Sequence, residues 1–376
     1  MMRQTLESVA APPKPLQREN QLTPQDVRQA YRLLFDRQPE SDEVVEQHAG
    51  AHDDVWSFLR TLMDAPEFRN RVADFANPRT TLDWRALRAR FEQPHAPTRP
   101  GYVTDFLGLH TRADFLGAAA RFEGRIDGLP VAGDAHCSPA EWIAGLRGVE
   151  LAGEDFVAVE LGAGWGAWMA ILSRAAQIRG AKRTLAIGCE ADELHCRMMR
   201  EHLAANGLAP RDYRLFEGAV GPRRGVAIFP ICEDSRNDWG LRPVFCRTER
   251  EAEAIVADPA AHADYRGFQF KGFHRVSCFT LADVMEGVDH VDVMHIDIQG
   301  GEFDLIEQNL ELLHRRVGYL AIGTHSRAIE GQLIAALSAA GWALEVEEPC
   351  SFDIAQASFP PLVDGMQGWR NTALRP

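Results

Sequence analysis

Along the first quarter of the chain, apolar residues recur at helical spacing. Val27, Ala30, Tyr31 and Leu34 share one face. Thr23-Pro24-Gln-Asp26 ahead of them supplies a cap residue, a first-turn proline and an acid three places after the cap. Ser41-Asp-Glu opens a second helix with Val44 and Val45, a third carries Val55, Trp56, Phe58, Leu59, Leu62 and Met63, and Pro66-Glu-Phe68 starts a fourth. Short amphipathic helices with short turns predict a small α-helical module over residues 22–95, behind a loose polar tail at 1–21. Three prolines between 90 and 101 mark a linker. The linker and bridging segment, 96–149, contains a helix capped by Ser138-Pro-Ala-Glu141 and is expected to cap the pocket of the domain that follows. Asp105, His110, Thr111 and Arg112 are its polar candidates for facing that pocket, although surface roles suit them as well.

From residue 150 onwards the period changes. Short β-branched runs (Phe156–Val159, Thr184–Glu190, Tyr213–Phe216, Val291–Ile296, Tyr319–Ile322) alternate with helical segments (from Ala167, Asp192–Asn206, Glu302–Leu313, Ala328–Ala340). Residues 225–230 form an extended arm, 231–275 read as irregular, and 343–347 and 369–374 finish as strands. Strands alternating with helices predict an α/β domain over 150–376, with a Rossmann-like, mostly parallel sheet and an antiparallel edge pair.

The chemistry starts where the first of these strands ends. Glu160 is followed by Gly162, Ala163, Gly164 and Gly166, and then by a helix. Such a loop lets a ligand approach bare backbone and points unpaired helix N–H groups at it. Gly162, Gly164 and Ala167 loosely satisfy a dinucleotide pattern, which would make the protein a nicotinamide-dependent oxidoreductase. The acid before the glycines favours instead a cationic ligand such as S-adenosylmethionine, because a carboxylate attracts an ammonium or sulfonium and repels a pyrophosphate. From the loop alone, a turn that binds nothing remains open. Glu190 ends the second strand 24 residues beyond Gly166, close to the roughly 20 expected of a carboxylate that accepts ribose hydroxyls. Glu217-Gly218-Ala219 follows the third strand, with small residues for an adenine ring and Glu217 near its amine.

Asp297-Ile-Gln-Gly-Gly-Glu302 ends a buried strand and opens a helix. Together with Val-Glu160-Leu-Gly-Ala-Gly-Trp-Gly, Gly-Cys-Glu190, Ala219-Val and Thr280-Leu-x-Asp283, it resembles the FkbM family of S-adenosylmethionine-dependent methyltransferases over about 150–376. That resemblance implies the class I methyltransferase sheet and methyl transfer to a hydroxyl, often of a sugar or polyketide. It also places Asp297 near the methyl donor. The chain departs from the family at Gln299, where a glutamate is common; this puts in doubt any role that acid has and leaves a catalytically inert binding protein as an alternative. Ala30-Tyr31-Arg32 through Pro39, with Ala65-Pro-Glu-Phe68, resembles a small helical module of uncharacterised function found with bacterial surface-glycan proteins. Tyr31, Arg37 and Trp56 read there as core aromatics and a snorkelling arginine rather than ligand contacts.

A sugar hydroxyl is a poor nucleophile and needs help losing its proton. Asp297 and His325, the latter in Ile322-Gly-Thr-His-Ser326, are the catalytic candidates, and the same pair is the candidate set for a divalent metal. His295 is expected to alternate away from the pocket, while Trp165, Trp239 and Tyr102 are available to stack on a sugar.

Composition narrows this further. A net charge of −14 over 376 residues argues against a nucleic-acid partner. No apolar run reaches the roughly 18 residues of a membrane span, and the first residues lack the apolar core of a secretory signal. Seven scattered cysteines without a C-x-x-C pair fit reduced thiols in a cytoplasm. The expected partner is a glycan or small-molecule hydroxyl acceptor; the sequence sets no oligomeric state.

Overall fold

The computed structural model describes residues 22–35, 37–52, 54–65, 79–93, 95–115, 123–124, 126–127, 137–232, 239–258, 270–352 and 361–376. It divides into two compact units, Met1–Ala76 and Asn77–Pro376. The expected tail at 1–21 and the helix expected from Pro66 lie outside the described residues.

In the first unit, α1 (Pro24–Phe35), α2 (Asp42–Ala51) and α3 (Val55–Asp64) surround Val27, Tyr31, Phe35, Val45 and Phe58. Each starts on the polar residue its sequence offers. Asp26 accepts from Thr23 N at 2.9 Å, and Ser41 and Asp54 accept from Val44 N and Ser57 N. Tyr31 is buried with its hydroxyl 3.1 Å from His48 Nε2, and Arg37 lies 5.1 Å over its ring, so both serve packing. Trp56, expected in the core, is 60% exposed.

The helical module ends near residue 76 rather than 95. β1 (Arg79–Thr80) pairs with Glu347 and Val346, and α4 (Trp84–Ala89) puts Trp84 and Leu87, with Phe91, into the core of the second unit. The bridging segment also behaves differently from expectation. β2 (Tyr102–Asp105), β3 (His110–Arg112) and β4 (Ile126–Asp127) form a small separate sheet. Its apolar side chains Phe106, Leu107 and Leu109 pack with Trp142 of α5 (Pro139–Glu150) and with α6 (Ala167–Ile178). Asp105 Oδ1 accepts from Leu107 N and Leu109 N, His110 N donates to Asn206 Oδ1, Thr111 Oγ1 lies 3.3 Å from His202 Nε2 and Arg112 pairs with Glu201. The Asp105 carboxylate closes its own turn, the His110 backbone with the Thr111 and Arg112 side chains fastens the bridge to residues 201–206, and none of the four lines the pocket.

The main sheet collects β1, β5 (Asp155–Leu161), β6 (Arg183–Glu190), β7 (Tyr213–Val220), β8 (Gly225–Cys232), β9 (Val244–Phe245), β10 (Phe270–Phe279), β11 (Val291–Ile296), β12 (Val317–Thr324), β13 (Trp342–Glu348) and β16 (Gly365–Asn371). A two-stranded pair, β14 (Ser351–Phe352) and β15 (Pro361–Val363), stands apart. The order is β1-β13-β16-β12-β11-β5-β6-β7-β10-β8-β9. β12, β11, β5, β6, β7 and β10 run parallel, and β16 and β13 form the expected antiparallel edge. The fold is thus α/β and Rossmann-like.

The other edge was not anticipated. β10 begins within the stretch read as irregular and pairs antiparallel with β8, and α8 (Glu249–Ala257) packs beside them. Lys271 and Arg275 interrupt its apolar positions, and its partner strand is some forty residues away, so the local pattern carries little strand signal.

Strand alternation builds two cores. Phe156 and Ala158 face α5, α6 and α7 (Glu193–Ala205) with Trp142, Trp168 and Leu203. Val157, Val159 and Leu161 face α10 (Glu302–Arg316) and α11 (Arg327–Ala339) with Ile306, Leu313 and Leu333. All six residues of β11 are buried, as its near-continuous apolar run requires. A remaining short helix, α9 (Leu281–Val284), is opened by a capping box of Thr280 and Asp283. Among the described residues no helix is long and apolar enough to cross a membrane. Chain order reverses between β5 and β11, which opens a crevice at the carboxyl ends of the strands.

Candidate active site

The crevice holds a cavity of about 810 Å³, lined by the glycine loop after β5 and by the ends of β6, β7 and β11. Gly162 N and Ala163 N each donate to Cys189 O at 3.0 Å, which ties the loop to β6. Gly162 has φ +76°, and a Cβ there would sit 1.8 Å from the Asp297 carbonyl oxygen, so only glycine fits between β5 and β11. Asp297 N in turn donates to Leu161 O at 2.9 Å. The two strand ends that carry the candidate chemistry are locked together by backbone.

Glu190 sits where the sequence puts it. One of its oxygens accepts from Gly164 N and the other from Asp192 N, both at 2.7 Å. A carboxylate has about four lone-pair sites, so the same oxygens can still receive two hydroxyls. Gly218 and Ala219 line the cavity beside it. Glu217 does not: β7 continues four residues past its expected end, Glu217 is one of its exposed positions, and it pairs with Arg200.

Glu160 serves the fold as well as the cavity. It lines the cavity and is 3% exposed, but its oxygens accept from Trp168 N at 3.1 Å and Met169 N at 2.8 Å. Its first service is to cap the start of α6. Burial pushes its pKa up to about 8, against the pull of His295 and the two amides.

Two further residues, His295 and Glu141, reach the cavity against the expectation from sequence. His295 lines the cavity, because it shares strand parity with Asp297 two residues on. Its ring stacks on Trp168 at 5.1 Å, and its Nε2 lies 2.9 Å from Glu141 Oε1. Glu141, read only as part of a helix cap, also accepts from Trp168 Nε1 at 2.7 Å and is the bridging segment's sole cavity residue among those described. Burial opposes charge on His295, but Glu141 and Glu160 outweigh it and raise its pKa. Of the proposed stacking residues, Trp165 and Trp239 line the cavity, with Trp239 stacked on His195 at 4.2 Å. Tyr102 is elsewhere, under Arg99.

Asp297 and His325 are brought together at the end of β11 and β12. His325 Nε2 lies 3.2 Å from Asp297 Oδ1, and its Nδ1 lies 3.0 Å from Glu302 Oε1. Glu302 Oε1 also accepts from Gly300 N at 2.8 Å and Ile298 N at 3.2 Å. Gln299 donates from Nε2 to Asp297 Oδ1 at 2.9 Å, on a backbone with φ +59°. Burial works against the charges of both Asp297 and His325, yet their mutual attraction prevails: Asp297 is held below the usual carboxylate range, and His325, with Glu302 adding to the effect, is pushed up to about 11. A concave site lined by a glycine loop, a strand-end carboxylate and an aspartate held below the usual carboxylate range has the bare backbone and acceptor groups to bind a polar ligand.

No protein-family model matches the chain. It is 35% identical over 286 residues to a "Putative methyltransferase" of Jannaschia sp. (strain CCS1), which covers 76% of this chain and 97% of that relative. Among solved structures it is similar to a precorrin-6y C5,15-methyltransferase from Geobacter metallireducens GS-15, with TM-score 0.32 and 12% identity over 60% of this chain and 86% of that one. A METTL16 MTase domain gives TM-score 0.34 and 10% identity over 62% and 66%.

Proposed function

The chain belongs to the methyltransferase family of the Jannaschia relative, and on that premise we propose that it moves a methyl group from S-adenosylmethionine to a hydroxyl of a sugar in a surface glycan or glycan precursor, as an enzyme of the FkbM type. The observation that carries this reading is that Glu190, the glycine loop and Asp297 line one cavity across the β5/β11 switch point. In this reading Glu190 holds the ribose hydroxyls, Gly218 and Ala219 flank the adenine, and the loop backbone passes beneath the amino-acid end of the donor. The donor's positive sulfur and ammonium face a wall containing Glu160, Glu141 and Asp297.

The acceptor then occupies the side of the cavity bounded by Asp297, Gln299, Asp304, Gln308 and Arg242. Amides and carboxylates suit a neutral polyhydroxyl compound, and Trp239 offers an apolar face for a sugar ring. Asp297 Oδ accepts the hydrogen bond of the acceptor hydroxyl and aims its oxygen at the methyl carbon. The new C–O bond forms as the C–S bond breaks, the proton passes to Asp297 and then to water, and S-adenosylhomocysteine leaves. His325, gripped by Glu302, fixes the Asp297 carboxylate and acts as a positioning residue. We place the reaction in the cytoplasm, where the seven cysteines stay reduced.

Calorimetry with S-adenosylhomocysteine and with a nicotinamide dinucleotide tests the donor, and labelled S-adenosylmethionine with a panel of cell-surface sugars tests the acceptor. The expected result is tight binding of the first ligand only and label on a sugar hydroxyl. Tight donor binding with no transfer to any acceptor would favour an inert binding protein.

A further inference from the structure

Glu160 is the acid that the glycine loop offers a cationic ligand, yet a second carboxylate stands more open to the same cavity. Glu160 is 3% exposed, with each oxygen on an amide of α6. The Glu141 side chain, reaching in from α5, is 19% exposed. Its contacts with Trp168 Nε1 and His295 Nε2 both fall on Oε1, and Oε2 takes neither. A carboxylate only accepts, so Glu141 fixes a proton on His295 Nε2 and leaves Nδ1 for other work. That second nitrogen is buried and has no hydrogen-bond partner, although His295 lines the cavity. The ring is already held in place, by Glu141 at one edge and by Trp168 across its face. A buried polar atom left unpaired is costly, and a ligand that meets it recovers the loss.

Strand order decides which part of a ligand arrives there. β11, β5, β6 and β7 are neighbours in that sequence, and His295 is paired with Glu160 across β11 and β5. With adenine at β7 and ribose at the end of β6, the remainder of the donor extends over β5 to β11. That remainder is an α-amino acid, with an ammonium suited to Glu141 Oε2. Nδ1 serves either group of it: an N–H there donates to the carboxylate, and a lone pair there accepts from the ammonium. A pyrophosphate has no counterpart, because Glu160 holds the α6 amides that would receive it.

We propose that Glu141 Oε2 and His295 Nδ1 make the direct contacts to the α-amino-acid head group of the methyl donor, while Glu160 acts through its charge. The bridging segment thereby completes the donor site from outside the strand–helix repeat. This inference rests on the S-adenosylmethionine reading.

The test is calorimetry of the full-length protein with two ligands, S-adenosylhomocysteine and methylthioadenosine. The second keeps the adenine, ribose and thioether but lacks the head group. Wild type is expected to bind the first more tightly. Glu141→Gln and His295→Phe, the latter keeping a ring to stack on Trp168, should each lower S-adenosylhomocysteine affinity roughly 10–100-fold, as for one charged hydrogen bond. Their affinity for methylthioadenosine should match wild type, which also shows that both variants fold. Unchanged S-adenosylhomocysteine affinity, or an equal loss for both ligands, overturns the seat. A wild type that binds neither ligand overturns the donor reading itself, and the seat with it.

Discussion

Glu160→Gln offers a quantitative test of how the cavity handles charge. In the ligand-free protein Glu160 has its pKa raised from 4.5 to about 8. The groups facing it are His295 from β11, Glu141 from α5 and the Trp168 and Met169 amides of α6. A raised folded pKa means that its contribution to stability is complete below about pH 4.5 and is lost as pH rises through about 8. A cationic ligand reverses this preference: it favours the ionised carboxylate, so binding must expel a proton at any pH below the free value. At pH 6, two units below the free value, only about 1% of the group is ionised. The deficit is about 2.7 kcal/mol, or ~100-fold in affinity relative to pH above 8. The assay is calorimetry with S-adenosylhomocysteine from pH 6 to 9 in buffers of different ionisation enthalpy. The ligand's own α-amino group also titrates on the alkaline side, so the diagnostic quantity is the difference between wild type and Glu160→Gln; His295 retains Glu141 as partner in the variant. Wild type should gain affinity with pH relative to the variant and release a proton that the variant does not. Parallel profiles for the two proteins would refute the reasoning.

Three further outcomes are expected. Glu190→Ala strands the Gly164 and Asp192 amides and removes the ribose acceptor; donor affinity should fall roughly 10–100-fold by calorimetry, the worth of one charged hydrogen bond. Asp297→Asn should lower kcat by about 10²–10⁴ in the labelled-donor assay, the usual share of a proton-accepting group, with a much smaller change in donor affinity. Gly162→Ala places a methyl against the Asp297 carbonyl at φ +76°; overpacking of about 1–3 kcal/mol and left-handed strain of about 1–2 kcal/mol should lower the melting temperature by several degrees.

Much of the architecture was legible because it is written locally. The β5 loop, β6 ending in Glu190 and β11 ending before Asp297 each combine an apolar run with a polar or glycine stop, and a strand-end residue in a parallel sheet reaches the crevice without further information. What escaped depends on distance or parity. Glu141 meets His295 from 154 positions away, and nothing beside it in sequence marks that contact. Glu217 and His295 were misplaced because a strand end shifted by a few residues, or a side miscounted, moves a side chain to the wrong face. Glu160 was recognised as important but not as a helix cap, since the sequence shows an acid before glycines and cannot show which amides curl back to it. β10 was unseen because its pairing with β8, rather than its own composition, makes it a strand.

The two walls of the cavity are supplied by different parts of the chain. The wall assigned to the donor is made by central strand ends that backbone bonds fuse to one another, whereas Trp239 through Phe245 hang from the antiparallel flank beside β8 and β9. Trp239 packs on Trp165 of the glycine loop and Phe245 lies against Gly221, so only the positions between them, such as the exposed Arg242, can change without disturbing the donor wall. Descendants of a common ancestor would share one methyl source while drifting in what they modify, and an engineer seeking new acceptors should randomise residues 242–244 and leave Trp239, Phe245 and the glycine loop alone.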